Sequence, residues 1–413
     1  MIVAVAAIIA SAAGAFNDFV YDDLPLIRDN VRIHHVDWSV LFRTPYWPPP
    51  FVQQLYRPLT LLLLAVEYWL GGGSPLAFRL MSYLLYAACA CGVYILAKAL
   101  LPRRAAFAAA LVFAVHPVHV EAVALGVGQA ELIVGLCALG IVWIYVKARR
   151  TGGLGARHWM PIAALYVVAA LSKENGLVLP ALPLAAELTL VDSEPLAERI
   201  SELAPGFLLM GVLAVSLVVQ RSLVIGSAAL AVVPSHAMAG LGVAGRLYEM
   251  LRIVPLWAER FVAPVHLQVD YIPPAHEAGA SVALLRLVGI VLAVALPIAT
   301  VKLRRAAPVF AFGVLWCGIG LLPVSNIIPT GVVLAERTLF LPSIGVVLAG
   351  AAAVELALQR WNSTRTREFA VTALLVLIAL GVVRSASRQH VWNSEHLTVV
   401  PQPATPQRNN GDD

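Results

Sequence analysis

Apolar runs of about twenty residues recur along the whole chain, and a run of that length crosses about 30 Å of hydrocarbon. Only helices and closed barrels satisfy their own backbone groups in lipid. The runs lack the period-2 alternation of a barrel strand, so the expected fold is an all-α integral membrane bundle. Composition agrees: 60% of the 413 residues are hydrophobic and 13% charged, against roughly 45–50% and about 25% in soluble domains. The net charge of +5 reads as basic cytoplasmic loops rather than a nucleic-acid surface. Cys89, Cys91, Cys137 and Cys317 all fall inside apolar runs, which points to neither a disulfide framework nor a zinc site.

About eleven spans are expected, near 1–16, 78–100, 105–124, 127–147, 158–172, 176–190, 203–220, 281–303, 308–325, 337–358 and 368–386. The first is read as an uncleaved span; the small residues at Ser11 to Ala15 also fit a signal-peptide cleavage site. Counted alternately, the spans put Arg103-Arg104, Lys147 to Arg150 with Arg157, Lys302 with Arg304-Arg305, and Arg360 to Arg367 on one side. The positive-inside rule makes that side cytoplasmic. The connection 191–202 is acidic instead, with Asp192, Glu194, Glu198 and Glu202 against Arg199, and acids weigh little in the rule. The N-terminus then lies inside, the C-terminus outside, and two large loops, about 17–77 and 221–280, lie outside. Residues 58–70 are apolar but short, and read as an interfacial helix anchored by Tyr68 and Trp69. One transmembrane domain that carries the chemistry is expected over 1–388, followed by a polar outer tail, 389–413, of disorder-prone composition. The protein is thus a multi-pass membrane protein, of the cytoplasmic membrane if the source is a bacterium.

The ionisable residues gather at the outer face. Asp22 and Asp23 follow the first span at once. Adjacent carboxylates at a membrane boundary raise each other's pKa, which suits one of them to act as a base; a solvated loop start is the plainer alternative. Tyr56-Arg57-Pro58 lies in a stiff loop, where the Arg57 fork can clamp a phosphate or pair with lipid head groups. His116 and His119 share a helix face beside Glu121. They can orient a loop or substrate, and a His-x-x-His pair can also ligate a metal, but no third ligand at a matching spacing is evident. Glu131 opens the next span on the same side, after Gln129. Lys173 and Glu174 can neutralise each other at a turn, or Lys173 can reach an anionic head group. Asp270 and Tyr271 belong to the second large loop. Arg337 at the outer start of a helix opposes the helix dipole, which calls for a bound anion or for pairing with Glu336. An acid plus several cations at one depth is what transfer from a lipid-linked phosphosugar requires.

Several of these segments resemble the transmembrane O-mannosyltransferases with tetratricopeptide repeats, of the GT-C glycosyltransferase superfamily. The likeness is carried by Tyr21-Asp22-Asp23 with Ile27 and Asn30, Tyr56-Arg57-Pro58-Leu59-Thr60, and His116-Pro117-Val118-His119-Val120-Glu121-Ala122. Leu171 to Gly176 and Glu336 to Gly345 extend it, in family order, over about 16–345. The resemblance implies a GT-C bundle and an inverting transfer of mannose from polyprenyl-phosphate-mannose to Ser or Thr of a protein or peptide acceptor. It implies Asp22 or Asp23 as the catalytic base, with no bound nucleotide and no required metal. Arg57, His116, His119, Glu121, Lys173, Glu174 and Arg337 would then bind the donor phosphate or sugar. Tyr56, Glu131, Asp270, Tyr271 and Glu336 would orient the acceptor or the loops. The chain departs from the family at Phe78-Arg79, Ser82 and Tyr86, where Phe-His with later Asn and His is usual. It departs again at Gly128-Gln129-Ala130-Glu131, where Arg is usual for Gln129. His390 with Trp392-Asn393-Ser394-Glu395 resembles the lead-in to the first repeat, so a short form without repeats is expected, its acceptor presented by a separate repeat-containing chain if by any. Within enzymes, a lipid or polysaccharide acceptor is the alternative. A transporter would show internal repeats and ionisable groups at the midplane, neither of which is evident, and a non-catalytic assembly protein is the remaining class.

Overall fold

The computed structural model describes residues 1–191, 196–226, 235, 238–271 and 279–393. The tail beyond Asn393 and the acidic Asp192 and Glu194 lie outside the described residues. Every regular element among the described residues is helical: α1 Ile2–Ser11, α2 Trp38–Leu41, α3 Pro58–Gly71, α4 Pro75–Leu100, α5 Arg103–Val115, α6 Val120–Ala124, α7 Gln129–Arg150 and α8 Ala156–Ser172. They continue with α9 Ala181–Thr189, α10 Leu196–Ile225, α11 Val243–Met250, α12 Val254–Val262, α13 Ala280–Leu303, α14 Pro308–Leu321, α15 Phe340–Arg360 and α16 Thr364–Gln389.

The expected count of eleven spans is not confirmed among the described residues. Among the described residues six helices are long and apolar enough to cross a membrane, and α5 with the short turn and α6 that follow it makes a seventh, bent by 48°. The bend has a local cause: His116 is extended, as a residue before proline tends to be, and Pro117 removes a helical donor. The expected run 176–190 is likewise interrupted by Pro180, leaving only the nine residues of α9. The stretches Ile2–Gly14 and Pro308–Val324 are apolar but short. At 1.5 Å per residue, the ten residues of α1 rise about 15 Å, half the hydrocarbon thickness. The 14-residue α3 is also too short to cross. It starts on Pro58 and stops at Gly72, whose φ of 59° is left-handed, a conformation that glycine adopts without strain.

The long helices form an inside and an outside. The apolar stretch of Gly126–Arg150 is 72% buried and that of Glu336–Arg360 61%, whereas Ala280–Leu303 and Thr364–Trp392 are each 11% buried. The outer helices present Leu284, Leu287, Val291, Leu375 and Leu380 outward, where lipid is their natural solvent. α14 and α15 cross glycine on glycine: a Cβ on Gly345 would lie 2.4 Å from the Gly313 carbonyl oxygen. Gly345 therefore serves backbone-to-backbone packing, the usual use of small residues between membrane helices. The bundle carries the first loop and the α11–α12 segment at the end that holds the ionisable residues.

Candidate active site

The chain leaves α1 at Ser11 through a short 3-10 turn, Ala12–Gly14, and then reaches Asp22 and Asp23. The two neighbours diverge completely. Asp23 is fully buried; its Oδ2 accepts the Gly126 N–H at 2.9 Å and its Oδ1 the Val127 N–H at 3.0 Å. Arg79 Nη1 stands 3.5 Å from Oδ2. That guanidinium also donates to the Ala124 carbonyl, and through Nη2 to the Asp18 carbonyl at 2.9 Å. Asp22 turns the other way. Its Oδ2 accepts from Arg337 Nη1 at 2.9 Å, and among the described residues nothing in the protein bonds its Oδ1.

Arg337 is shared. Its backbone N–H donates to Glu121 Oε2 at 2.8 Å, and its Nη1 lies 3.5 Å from Glu121 Oε1. The cation that opposed the helix dipole is thus held by two carboxylates. Glu336, expected as its partner, faces away: Glu336 Oε1 accepts from Tyr271 Oη at 2.6 Å, Gln268 N at 2.8 Å and Arg388 Nη2 at 2.9 Å. Lys173 and Glu174 do not neutralise each other either. Lys173 has an extended backbone (φ −159°, ψ 147°), which sends successive side chains to opposite sides. Lys173 Nζ therefore pairs with Glu131 Oε1, while Glu174 Oε2 accepts from Arg57 at 2.7–2.8 Å. Arg57 also stacks 4.8 Å over the Tyr46 ring.

These pairs form one cluster. Arg337 lies within electrostatic reach of Asp22, Glu121, Tyr21 and Glu131, and Lys173 within reach of Glu131, Arg57 and Arg337. The structure so brings together Asp22, Arg57, Glu121, Glu131, Lys173, Glu174 and Arg337. It leaves out both histidines. The break at Pro117 turns them into the bundle: His116 Nε2 meets the Phe261 carbonyl at 3.0 Å, and His119 Nε2 meets Ser343 Oγ at 2.8 Å beside Tyr86 and Phe113. Tyr56 donates to the Phe42 carbonyl at 3.0 Å and accepts from Gln220 at 2.8 Å, joining the first loop to α10. Tyr271 stays with Glu336, and Asp270 is exposed but within electrostatic reach of Tyr21. No group of three or more His, Cys, Asp or Glu side chains placed to hold a metal occurs among the described residues.

Residue-by-residue reading missed the role of Arg79. Its signal was present, since an ionisable side chain inside an apolar run is a functional or structural device by default. It also missed the pairing of Arg388 with Glu336, and it read Trp392 only as part of a repeat lead-in, not as a neighbour of Tyr21.

Burial lowers the Lys173 ammonium below its ordinary range, with Glu131 opposing. Burial pushes the Glu174 carboxyl up, but Arg57 outweighs it and the group ends below its ordinary range. A carboxyl lowered on folding stabilises above its unfolded pKa, about 4.3, and loses that contribution as pH falls through the folded value. Wild type should therefore be more stable than Glu174→Gln by about 1–3 kcal/mol above pH ~4.5, with the gap closing at lower pH. Thermal unfolding between pH 3 and pH 6 measures this, and a gap independent of pH would refute it.

Residues 56–222 match the family model described as dolichyl-phosphate-mannose-protein mannosyltransferase. Protein O-mannosyl-transferase TMTC3 of Mus musculus is 34% identical over 170 residues, 39% of this chain and 18% of that protein. Protein O-mannosyl-transferase F38B6.6 of Caenorhabditis elegans is 29% identical over 392 residues, 92% of this chain and 53% of the relative. The chain spans about half the length of that relative. Among solved structures, the archaeal oligosaccharyltransferase AglB from Archaeoglobus fulgidus superposes with a TM-score of 0.54 at 13% identity, covering 94% of this chain and 55% of that one. The protein is a GT-C-type membrane bundle that resembles the protein O-mannosyltransferases over most of its length.

Proposed function

We propose that the chain is a membrane glycosyltransferase that moves a sugar, mannose by its likeness to the named relatives, from a polyprenyl phosphate to a Ser or Thr hydroxyl of a protein. The observation that carries this reading is Asp22 with one oxygen open, held against Arg337 in a cluster with the half-buried Arg57 and the buried Lys173. AglB, whose fold the chain shares, is described in complex with a dolichol-phosphate, the class of lipid that this reading assigns as donor.

In the step, the acceptor hydroxyl gives its proton to Asp22 as its oxygen attacks the anomeric carbon. The bond from that carbon to the phosphate oxygen breaks, and the polyprenyl phosphate leaves with the electron pair. Attack opposite the leaving group inverts the anomeric centre. Arg337, Lys173 and Arg57 stabilise the charge that grows on the departing phosphate, where fixed cations in a site of low dielectric act most strongly. The reaction would take place at the extracytoplasmic face, since the cluster lies opposite the basic connections.

The test is transfer by the purified, reconstituted chain from polyprenyl-phosphate-mannose to a Ser/Thr-rich peptide. Mannosylated peptide with inverted anomeric configuration is expected. Transfer only to lipid or polysaccharide would overturn the protein acceptor, and retention of configuration would overturn the single displacement.

A further inference from the structure

The residue before Asp22 is held in a conformation that side chains avoid. Tyr21 has φ of 53°, the left-handed region that is uncommon for a bulky residue. Such backbone persists only where its surroundings over-determine it, and it gathers at functional sites. Here the surroundings come from the far end of the chain. Trp392, completely buried, stands edge-on to the Tyr21 ring with centroids 6.4 Å apart at 79°, a favoured geometry for an aromatic pair. Its own backbone is clamped from the first loop: the Asn17 side-chain amide donates to the Gln389 carbonyl at 2.8 Å and to the Trp392 carbonyl at 3.0 Å. The Gln389 carbonyl ends α16 and that of Trp392 ends the 3-10 turn after it, where helical acceptors lack intrahelical donors. The Gln389 side chain packs against Gly14.

We infer that Trp392 is a positioning residue: seated by Asn17, it holds Tyr21 in its left-handed conformation and so aims the Asp22 carboxylate at the acceptor hydroxyl. This rests on the reading of Asp22 as the base. Trp392 touches no reacting atom and acts through Tyr21. The turn after α16 thereby doubles as the wall behind the base.

The indole N–H of Trp392 has no hydrogen-bond partner among the described residues, so Trp392→Phe keeps an aromatic face without orphaning an acceptor. In reconstituted full-length protein, Trp392→Ala should lower kcat at least about tenfold, because small misplacements of a catalytic group are costly. Its affinity for polyprenyl phosphate should stay within about twofold, since the cations that hold phosphate are untouched. Asn17→Ala should move both quantities the same way, and Trp392→Phe should restore most of the rate. Amide hydrogen exchange of residues 17–24 in the unliganded protein gives a second readout that needs no turnover. It should quicken in Trp392→Ala and stay at the wild-type rate in Trp392→Phe. Unchanged exchange in Trp392→Ala overturns the clamp; equal loss of kcat and lipid affinity overturns positioning in favour of general unfolding. Wild-type protein that transfers to no acceptor overturns the functional reading instead, a result separable from the exchange measurement.

Discussion

Asp22→Asn should abolish most transfer while leaving a folded protein that still binds polyprenyl phosphate. Removing a general base costs about 10²–10⁴-fold in rate. The asparagine is isosteric and its Oδ1 can still accept from Arg337, which bonds Asp22 Oδ2 at 2.9 Å in the native site. Glu121 also stays against Arg337, through the backbone N–H and Nη1, so the half-buried cation keeps a carboxylate partner. The loss should therefore appear in kcat, with donor affinity and the unfolding midpoint near wild type. Single-turnover transfer and equilibrium binding of polyprenyl phosphate separate these quantities. Activity within about threefold of wild type would exclude Asp22 as the base, because a lost base costs far more than that.

Adjacency explains what could and could not be read from the residues alone. The apolar runs declare a membrane bundle, because no soluble core hides so much apolar surface. Its breaks at Pro117 and Pro180 follow from local chemistry, yet how far each break shortens a span depends on the helices packed around it. The charged pairs are harder. Asp22-Asp23, Lys173-Glu174 and Glu336-Arg337 each suggest partners by proximity in sequence, and in each pair the members face apart. Glu174 finds Arg57, Lys173 finds Glu131, Glu336 finds Arg388 and Arg337 finds Asp22. Each partner lies between 42 and 315 residues away, so only the tertiary fold could name it. The motif His116-Pro117-Val118-His119 shows the converse. Two histidines at helical spacing read as groups that orient a loop or bind the donor, but the break at the proline between them sets His116 against the Phe261 carbonyl of α12 and His119 against the Ser343 hydroxyl.

Asp23→Ala should damage the fold more than any other single change at this site. A carboxyl pushed up by burial is the usual mark of a base, and burial does raise Asp23. Its geometry assigns it other work, since each oxygen already accepts a backbone N–H, from Val127 and from Gly126. Arg79 lies beside it, joining α4 to the Asp18 and Ala124 carbonyls. Truncation would strand that buried guanidinium and orphan two buried amides. Breaking a buried ion pair by removing one partner costs about 3–5 kcal/mol, a large share of the roughly 5–15 kcal/mol that holds a domain. Asp23→Asn should fall only slightly short of this, because one of its two terminal atoms becomes a donor aimed at an N–H. The signature of the pair is its coupling. Once Arg79→Met has removed the cation, losing the carboxylate strands nothing charged, so the double variant should be less destabilised than the sum of the two singles, by roughly 1–3 kcal/mol. Unfolding midpoints in lipid nanodiscs give all four corners of that cycle. Strict additivity would mean that Asp23 and Arg79 act independently. A wild-type midpoint in Asp23→Ala would mean that the loop bearing Asp22 is held in place by something other than its neighbour.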